Sequence, residues 1–205
     1  LHGVFFERKN DLYGIINGVD YEEWNPETDR LIPANYSDTD MSGKEICRAK
    51  LLEKIGLKVS PGKPLFGMIS RLDEQKGFDI LLEALEKIIR LDVGIIILGS
   101  GTKNYVETIS GKVGKFPENV YFKPGFDNNL SHMIYAGADA FLMPSRYEPC
   151  GLGQMIAMRY GTLPLVHATG GLADTVCDID RGEKGTGLVF TAYSSGMLYE
   201  AVFRA

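Results

Sequence analysis

A glutamate followed by a glycine-rich turn is the part of this 205-residue sequence with the most evident chemistry. Glu148 precedes Pro149, and a Gly-Leu-Gly turn at 151–153 then opens a helical pattern. Such a turn leaves backbone N–H groups free at a helix N-terminus, where they attract phosphate. A carboxylate beside bound phosphate is repelled unless a cation shares the site. The stretch 145–171 therefore indicates a sugar phosphate held by an acid and by backbone amides.

Two cations follow the first predicted strand. Arg71 comes directly after the strand at 65–70, and Lys76 precedes the glycine that opens the next helix. Ligands of parallel sheets bind beyond the carboxyl ends of the strands, so both cations would converge there. They suit a diphosphate, because each charge-assisted hydrogen bond contributes roughly 1.5–3 kcal/mol. The acidic residues 73–74 could instead form salt bridges with them, but the second anion site at 151–153 favours phosphate.

Two further segments reach the same edge of the predicted sheet. Phe126 follows another strand and could stack on a nucleobase, or it could simply pack within its loop. Thr169 and Gly170 follow the strand at 163–167 and begin a third glycine-rich helix start, which could also be only a tight turn. Three such turns at one edge favour a nucleotide-sugar pocket.

Other candidate motifs are weaker. The D-x-D segments 38–40 and 178–180 match a metal-holding pattern, but neither follows a convincing apolar strand, and the three histidines lack ligand spacing, so we expect no metal site. Cys150 has no partner base, which favours a small thiol packed in the turn over a nucleophile. The Gly-Ser-Gly segment 99–101 is a lone G-x-G, and we expect a tight turn after a strand.

The fold class follows from regular alternation of strand and helix patterns. Between the strands lie helical patterns, of which residues 78–89 are the clearest, with apolar residues spaced by three and four. The strands are short continuous apolar runs, typical of a parallel sheet covered on both faces. They are predicted at 65–70, 93–98, 119–122, 140–144, 163–167 and 187–190. This order predicts an α/β fold with a doubly wound, Rossmann-like parallel sheet.

The chain divides into an arm and a domain. Residues 1–42 are rich in Asn, Asp and Pro and are predicted to be an irregular, interdomain arm, whereas 43–205 would be the nucleotide-sugar-binding domain. Ser42 with Glu45 predicts a capping box, and the helix should end near Gly56. The chain begins without Met and stops within an apparently helical run, so we expect a piece of a longer protein, truncated at its C-terminus.

Composition excludes several classes of protein. The formal net charge of −5 argues against a general nucleic-acid or anionic-membrane surface. Three cysteines without C-x-x-C spacing argue against a disulfide framework or a zinc site and favour a reduced compartment. No apolar run approaches the roughly 20 residues of a membrane span, and no signal peptide is visible.

Five segments resemble bacterial glycogen synthase and its relative, plant starch synthase. They are GIINGVDYEEWNPETD, SRLDEQKGFDILLEAL, LGSG, IYAGADAFLMPSRYEPCGLGQ and RYGTLPLVHATGGLADTV, and they run in order from about Tyr13 to Phe190. The resemblance implies the C-terminal, donor-binding domain of a two-domain GT-B glycosyltransferase, without its N-terminal domain. It implies a hexosyltransferase that moves glucose from ADP-glucose to the non-reducing end of an α-1,4-glucan, with retention and with no metal or cofactor.

The resemblance also implies roles for individual residues. Arg71 and Lys76 would bind the diphosphate and stabilise departing ADP, and Glu148 would contact the glucosyl hydroxyls and stabilise positive charge at the anomeric carbon. The donor-binding residues would be Cys150, Gly151, Leu152 and Gly153, of which Leu152 and Gly153 offer backbone amides, with Phe126 on adenine, Asn17 at the glucose, and Thr169 and Gly170 in the pocket wall.

Two residues depart from the pattern of the family. Gly153 stands where bacterial members often have Thr, so a hydroxyl contact to phosphate would be missing. Ile156 stands where related transferases often carry a second Glu, so the ribose contact of that residue is not expected here.

Three functions remain open at this point. The leading one is the donor-binding half of an ADP-glucose-dependent glycogen synthase, cytoplasmic in a bacterium or plastidic in a plant, and inactive as this piece alone. The second is a nucleotide-binding module without activity. The third is a GT-B transferase that uses UDP-glucose.

Overall fold

One parallel sheet organises the molecule. The computed structural model describes residues 2–60, 62–182 and 184–205, and within them six parallel strands follow the order β3-β2-β1-β4-β5-β6. The strands are β1 Leu65–Leu72, β2 Gly94–Gly101, β3 Val120–Pro124, β4 Ala140–Met143, β5 Leu163–His167 and β6 Leu188–Phe190. This is the order of a doubly wound sheet, which confirms the predicted fold class and all six predicted strands.

Helices cover both faces of the sheet. They are α1 His2–Glu7, α2 Ser42–Ile55, α3 Phe78–Ile89, α4 Lys103–Val113, α5 Asn128–Gly137, α6 Gly153–Arg159, α7 Gly170–Thr175 and α8 Ser195–Arg204. Short 3-10 turns occupy Lys9–Asp11, Glu74–Lys76 and Ile179–Arg181. Among the helices of the described residues, none is long and apolar enough to cross a membrane.

The core lies on both sides of the sheet. Along β2, Ile95 and Ile97 join the cluster that contains α3 and α8, whereas Ile96 and Leu98 join the cluster that contains α2 and α5. Successive side chains of a strand point to opposite faces, so a strand buried on both faces must be apolar throughout. This is the physical reason that the strands were readable as continuous apolar runs.

Two local predictions are wrong. The Gly-Ser-Gly segment 99–101 is the end of β2 and not a turn, since Gly99 pairs with Ser70 and Gly101 with Leu72 of β1. Both glycines thus continue the sheet toward its carboxyl edge.

Helix α2 begins without the predicted capping box. Met41 occupies the N-cap position and makes no side-chain hydrogen bond to the helix. The carboxylate of Asp40 instead accepts a hydrogen bond from the Ser42 amide at 3.0 Å, and bonds from the Ser42 hydroxyl and amide lower the pKa of Asp40. The helix ends as predicted, with Gly56 in the left-handed region at φ 69°.

A buried carboxylate ties the N-terminal arm to the sheet layer. Asp29 accepts a hydrogen bond from the Tyr160 hydroxyl at 2.6 Å and lies 2.7 Å from Nδ1 of His132. Trp24 stacks on the His132 ring, with 4.1 Å between the ring centroids. The arm also contains α1, a short helix that its composition did not predict. The arm is therefore held by specific polar contacts although most of it is irregular.

Lys44 of α2 is a largely buried cation. Its Nζ donates to Thr162 Oγ1 at 2.7 Å and to the backbone oxygens of Ala136 and Tyr160, both at 3.1 Å. Burial lowers the pKa of Lys44 from its ordinary value to about 8. The unfolded chain would keep this proton to a pH of about 10.4.

Lys44 should make stability rise with pH. Between about pH 8 and 10 the unfolded state binds more protons at this position than the folded state, so the free energy of unfolding increases with pH. Between pH 7.5 and 9.5, we expect the free energy of unfolding of the wild type to rise by about 1–2 kcal/mol relative to that of Lys44→Met. Urea unfolding, followed by the fluorescence of Trp24, measures the difference. A difference that stays constant across this range would contradict the prediction.

Candidate functional site

The site lies between β1 and β4, where the strand order of the sheet reverses. Strands β1 and β4 are neighbours, and the loops that follow their carboxyl ends face each other. A cavity of about 220 Å³ opens between these loops. Its lining includes Arg71, Lys76, Tyr135, Ser145, Glu148, Gly151, Leu152 and Gly153. The structure thus brings six of the predicted site residues to one cavity.

A buried ion pair forms the centre of the cavity wall. Lys76 Nζ lies 2.5 Å from Oε2 of Glu148, and their side chains are only 16% and 10% exposed. The Ser145 hydroxyl donates to the same oxygen at 3.2 Å. Within the described residues, the other carboxylate oxygen of Glu148 accepts no hydrogen bond. One face of the carboxylate is therefore fixed by the protein, and the other is available to a ligand.

Arg71 stands at the mouth of the cavity. Its side chain is 66% exposed, and its guanidinium lies 3.1 Å from Asp73 and donates to Gln75 at 3.2 Å. The salt bridge weighed as an alternative to phosphate is thus present for Arg71. It is absent for Lys76 in the described residues, because Lys76 pairs with Glu148 and Glu74 pairs with Arg146. An exposed pair of this kind contributes little stability, so a ligand can compete for Arg71.

The glycine-rich turn after Glu148 carries free backbone donors. Gly151 takes a left-handed conformation at φ 75°, and the Gln154 side chain donates to its carbonyl at 3.0 Å. The amides of Gly151 and Leu152 find no acceptor among the described residues. The turn therefore lines the cavity with Lys76 and contains two backbone donors without acceptors in the described residues.

Gly170 and Gly171 pack against the backbone of the loop that carries Glu148. A Cβ at Gly170 would lie 2.2 Å from the Glu148 carbonyl oxygen, and one at Gly171 would lie 2.1 Å from that of Cys150. The Gly171 amide donates to the Glu148 carbonyl at 3.0 Å. Thr169 and Gly170 do not line the cavity, but Gly170 packs against the loop that does.

Gly171→Ala should displace this loop. The added methyl meets backbone atoms that no side-chain rotation can move, and overpacking of this kind costs about 1–3 kcal/mol. The matched control is Gly196→Ala in α8, where nothing lies within 4 Å of the new atom. Urea unfolding of both variants should show a loss for the first and no loss for the second. Equal stability of the two variants would contradict this account.

Besides Thr169 and Gly170, three predicted residues lie outside the cavity lining. Phe126 is 80% exposed just beyond β3, at the same edge of the sheet. Asn17 lies in the arm, and its backbone amide donates to the Cys150 sulfur at 3.3 Å. Cys150 thus packs in the turn, and both Asn17 and Phe126 are free to contact a ligand larger than the cavity.

Sequence reasoning missed three polar residues of the cavity, Ser70, Ser145 and Tyr135. Ser145 comes just after β4, so the rule that led to Arg71 would also have found it. Tyr135 lies within α5, and nothing in the helical pattern signals that its hydroxyl reaches the cavity. The D-x-D segment 178–180 lies elsewhere, with Asp178 and Asp180 both paired to Arg204.

Comparison with known proteins identifies the family. The profile of glycosyl transferases group 1 matches residues 52–205. The chain belongs to this family.

Individual relatives are similar over the whole chain. The glycogen synthase of Myxococcus xanthus is 48% identical over 205 residues, which are 100% of this chain and 42% of the relative. Glycogen synthase 1 of Geobacter metallireducens is 50% identical over 206 residues, covering 98% of this chain and 40% of the relative. The chain therefore spans about two fifths of the length of these curated relatives.

A solved structure agrees closely in fold. The catalytic domain of starch synthase IV from Arabidopsis thaliana, solved bound to ADP and acarbose, superposes with a TM-score of 0.92 and 35% identity. The match covers 99% of this chain and 43% of that chain. The similarity thus extends over the arm as well as the sheet.

Proposed function

We propose that this chain is the donor-binding part of a glycogen or starch synthase, which transfers glucose from ADP-glucose to the non-reducing end of an α-1,4-glucan with retention. The observation that carries the proposal is the Lys76–Glu148 pair in a cavity that Arg71 also lines. The choice of substrates is supported by the relatives of this chain that are named glycogen synthase.

The cations would act on the leaving group. Lys76 has three N–H donors and directs one to Glu148, so the others can reach the diphosphate. Arg71 at the mouth would share the charge that develops as ADP departs. Positive groups fixed in place before the reaction stabilise this charge without reorganisation, which is the main source of electrostatic catalysis.

Glu148 would act on the sugar. Its free oxygen can accept hydrogen bonds from glucosyl hydroxyls, and its charge stabilises the positive charge that develops at the anomeric carbon. The Lys76 ammonium keeps this buried carboxylate compatible with a nearby phosphate, because it offsets their repulsion. The same pair thereby serves both halves of the donor.

A second domain would form the opposite side of the cleft and complete the site. Ligand pockets usually hold about 300–1,000 Å³, which exceeds this cavity. The nucleotide would extend over the open edge toward Phe126, and the glucan would approach from the opposite side of the cleft. Because the chain spans about two fifths of its relatives, we assign that side to the N-terminal GT-B domain of the same protein.

Lys76→Ala in the full-length protein tests the proposed chemistry. Loss of one preorganised charge at a leaving group should lower kcat about 10²–10³-fold. Lys87→Ala, an exposed lysine on α3, is the control and should leave kcat unchanged. Incorporation of labelled glucose into glycogen measures both. Full activity of Lys76→Ala would contradict the assignment.

The donor and the completeness of the site need a second experiment. The full-length protein should transfer glucose from ADP-glucose with a higher kcat/KM than from UDP-glucose. The 205-residue chain should bind ADP in a calorimeter and incorporate no glucose, because its cleft has one wall. A higher kcat/KM with UDP-glucose would show that UDP-glucose, and not ADP-glucose, is the donor. If the full-length protein binds ADP but transfers no glucose, the function is that of a nucleotide-binding module.

A further inference from the structure

One buried polar group in the cavity is not used by the proposed chemistry. Tyr135 is only 5% exposed and lines the cavity beside Lys76 and Glu148. Within the described residues its hydroxyl makes no hydrogen bond, although buried tyrosine hydroxyls usually have a partner. Burial raises the pKa of Tyr135 well above its ordinary value, so the hydroxyl remains a protonated donor at neutral pH.

The ring of Tyr135 is fixed by its neighbours. It packs on Phe141 with 4.8 Å between the ring centroids and meets the edge of Trp24 at 5.5 Å. Helix α5 and these rings therefore set the position of the hydroxyl. A fixed donor loses little conformational entropy when a ligand binds.

Gly153 lies beside the Tyr135 hydroxyl. A Cβ at this position would lie 3.4 Å from the Tyr135 oxygen and 2.9 Å from Cε1 of Phe141. A side chain at 153 would therefore clash with the Phe141 ring, whereas its contact with the Tyr135 hydroxyl would be an ordinary one. The Tyr135 hydroxyl thus lies close to the backbone of the turn, whose Gly151 and Leu152 amides lack acceptors in the described part of the chain.

Apart from the Glu148 carboxylate, which is paired with Lys76, the polar groups named for this part of the cavity are donors. We propose that the Tyr135 hydroxyl donates a hydrogen bond to an anionic phosphate oxygen of the sugar-nucleotide donor. An anion satisfies the hydroxyl, the free amides and Lys76 together, whereas a second donor group would leave them unpaired. This inference rests on the proposed function, and it adds a phosphate-binding side chain that reaches the site from a helix and not from a strand end.

Tyr135→Phe in the full-length protein isolates the hydroxyl, because the ring and its packing are kept. Because the lost hydrogen bond is to a charged group, the substitution should raise the dissociation constant of ADP about ten-fold or more. The affinity for adenosine, which has no phosphate, should be unchanged. The control is Tyr121→Phe, a partly buried tyrosine on β3 outside the cavity. Calorimetry with ADP and adenosine, with a melting curve of each variant, gives the comparison.

The outcomes separate this inference from the proposed function. Wild-type affinity for ADP in Tyr135→Phe would overturn the inference alone. Equal weakening of ADP and adenosine would also overturn it, since that result indicates a general change of the pocket. Failure of the wild-type protein to bind ADP would overturn the proposed function, and the inference with it.

Discussion

The ion pair between Lys76 and Glu148 is the interaction on which the site depends. Either charge would be costly to bury alone, so each residue requires the other. The pair also joins two loops that follow different strands. Further contacts hold these loops together, because the Arg146 amide donates to the Gln75 carbonyl at 2.8 Å and the Gln75 side chain donates to the Tyr147 carbonyl at 3.1 Å. The cavity is thus built from two strand ends fixed to each other by charge and hydrogen bonds.

The sheet order explains why the pair forms at this place. Strands β1 and β4 are adjacent although two strands and three helices separate them along the chain. Their crossovers run to opposite sides, which opens a crevice at their carboxyl ends. Polar side chains that follow these strands must meet there. The glycines of α7 pack closely against the backbone of the Glu148 loop.

The arm depends on the same layer of the sheet. Asp29 reaches His132 of α5 and Tyr160 beyond α6, and the Tyr36 hydroxyl donates to the Tyr160 carbonyl at 2.8 Å. The helix that carries Tyr135 is therefore clamped on both sides, by the sheet and by the arm. The boundary at residues 42–43 between arm and domain stays a prediction, since the two share one buried network.

The sequence by itself determined the six strands, the α3 helix and the edge of the sheet at which Arg71, Lys76 and Glu148 lie. Strands buried on both faces must be apolar, and polar residues just after them must lie at one edge, so local pattern was sufficient. Local pattern failed at Ser42 and at the Gly-Ser-Gly segment, where several backbone conformations suit the same residues. Only the tertiary structure decided the rest. Lys76 and Glu148 are 72 residues apart, and Asp29 and His132 are 103 apart. Such partners, like the Tyr135 hydroxyl beside Gly153, are selected by packing across the sheet, which no short stretch of sequence records.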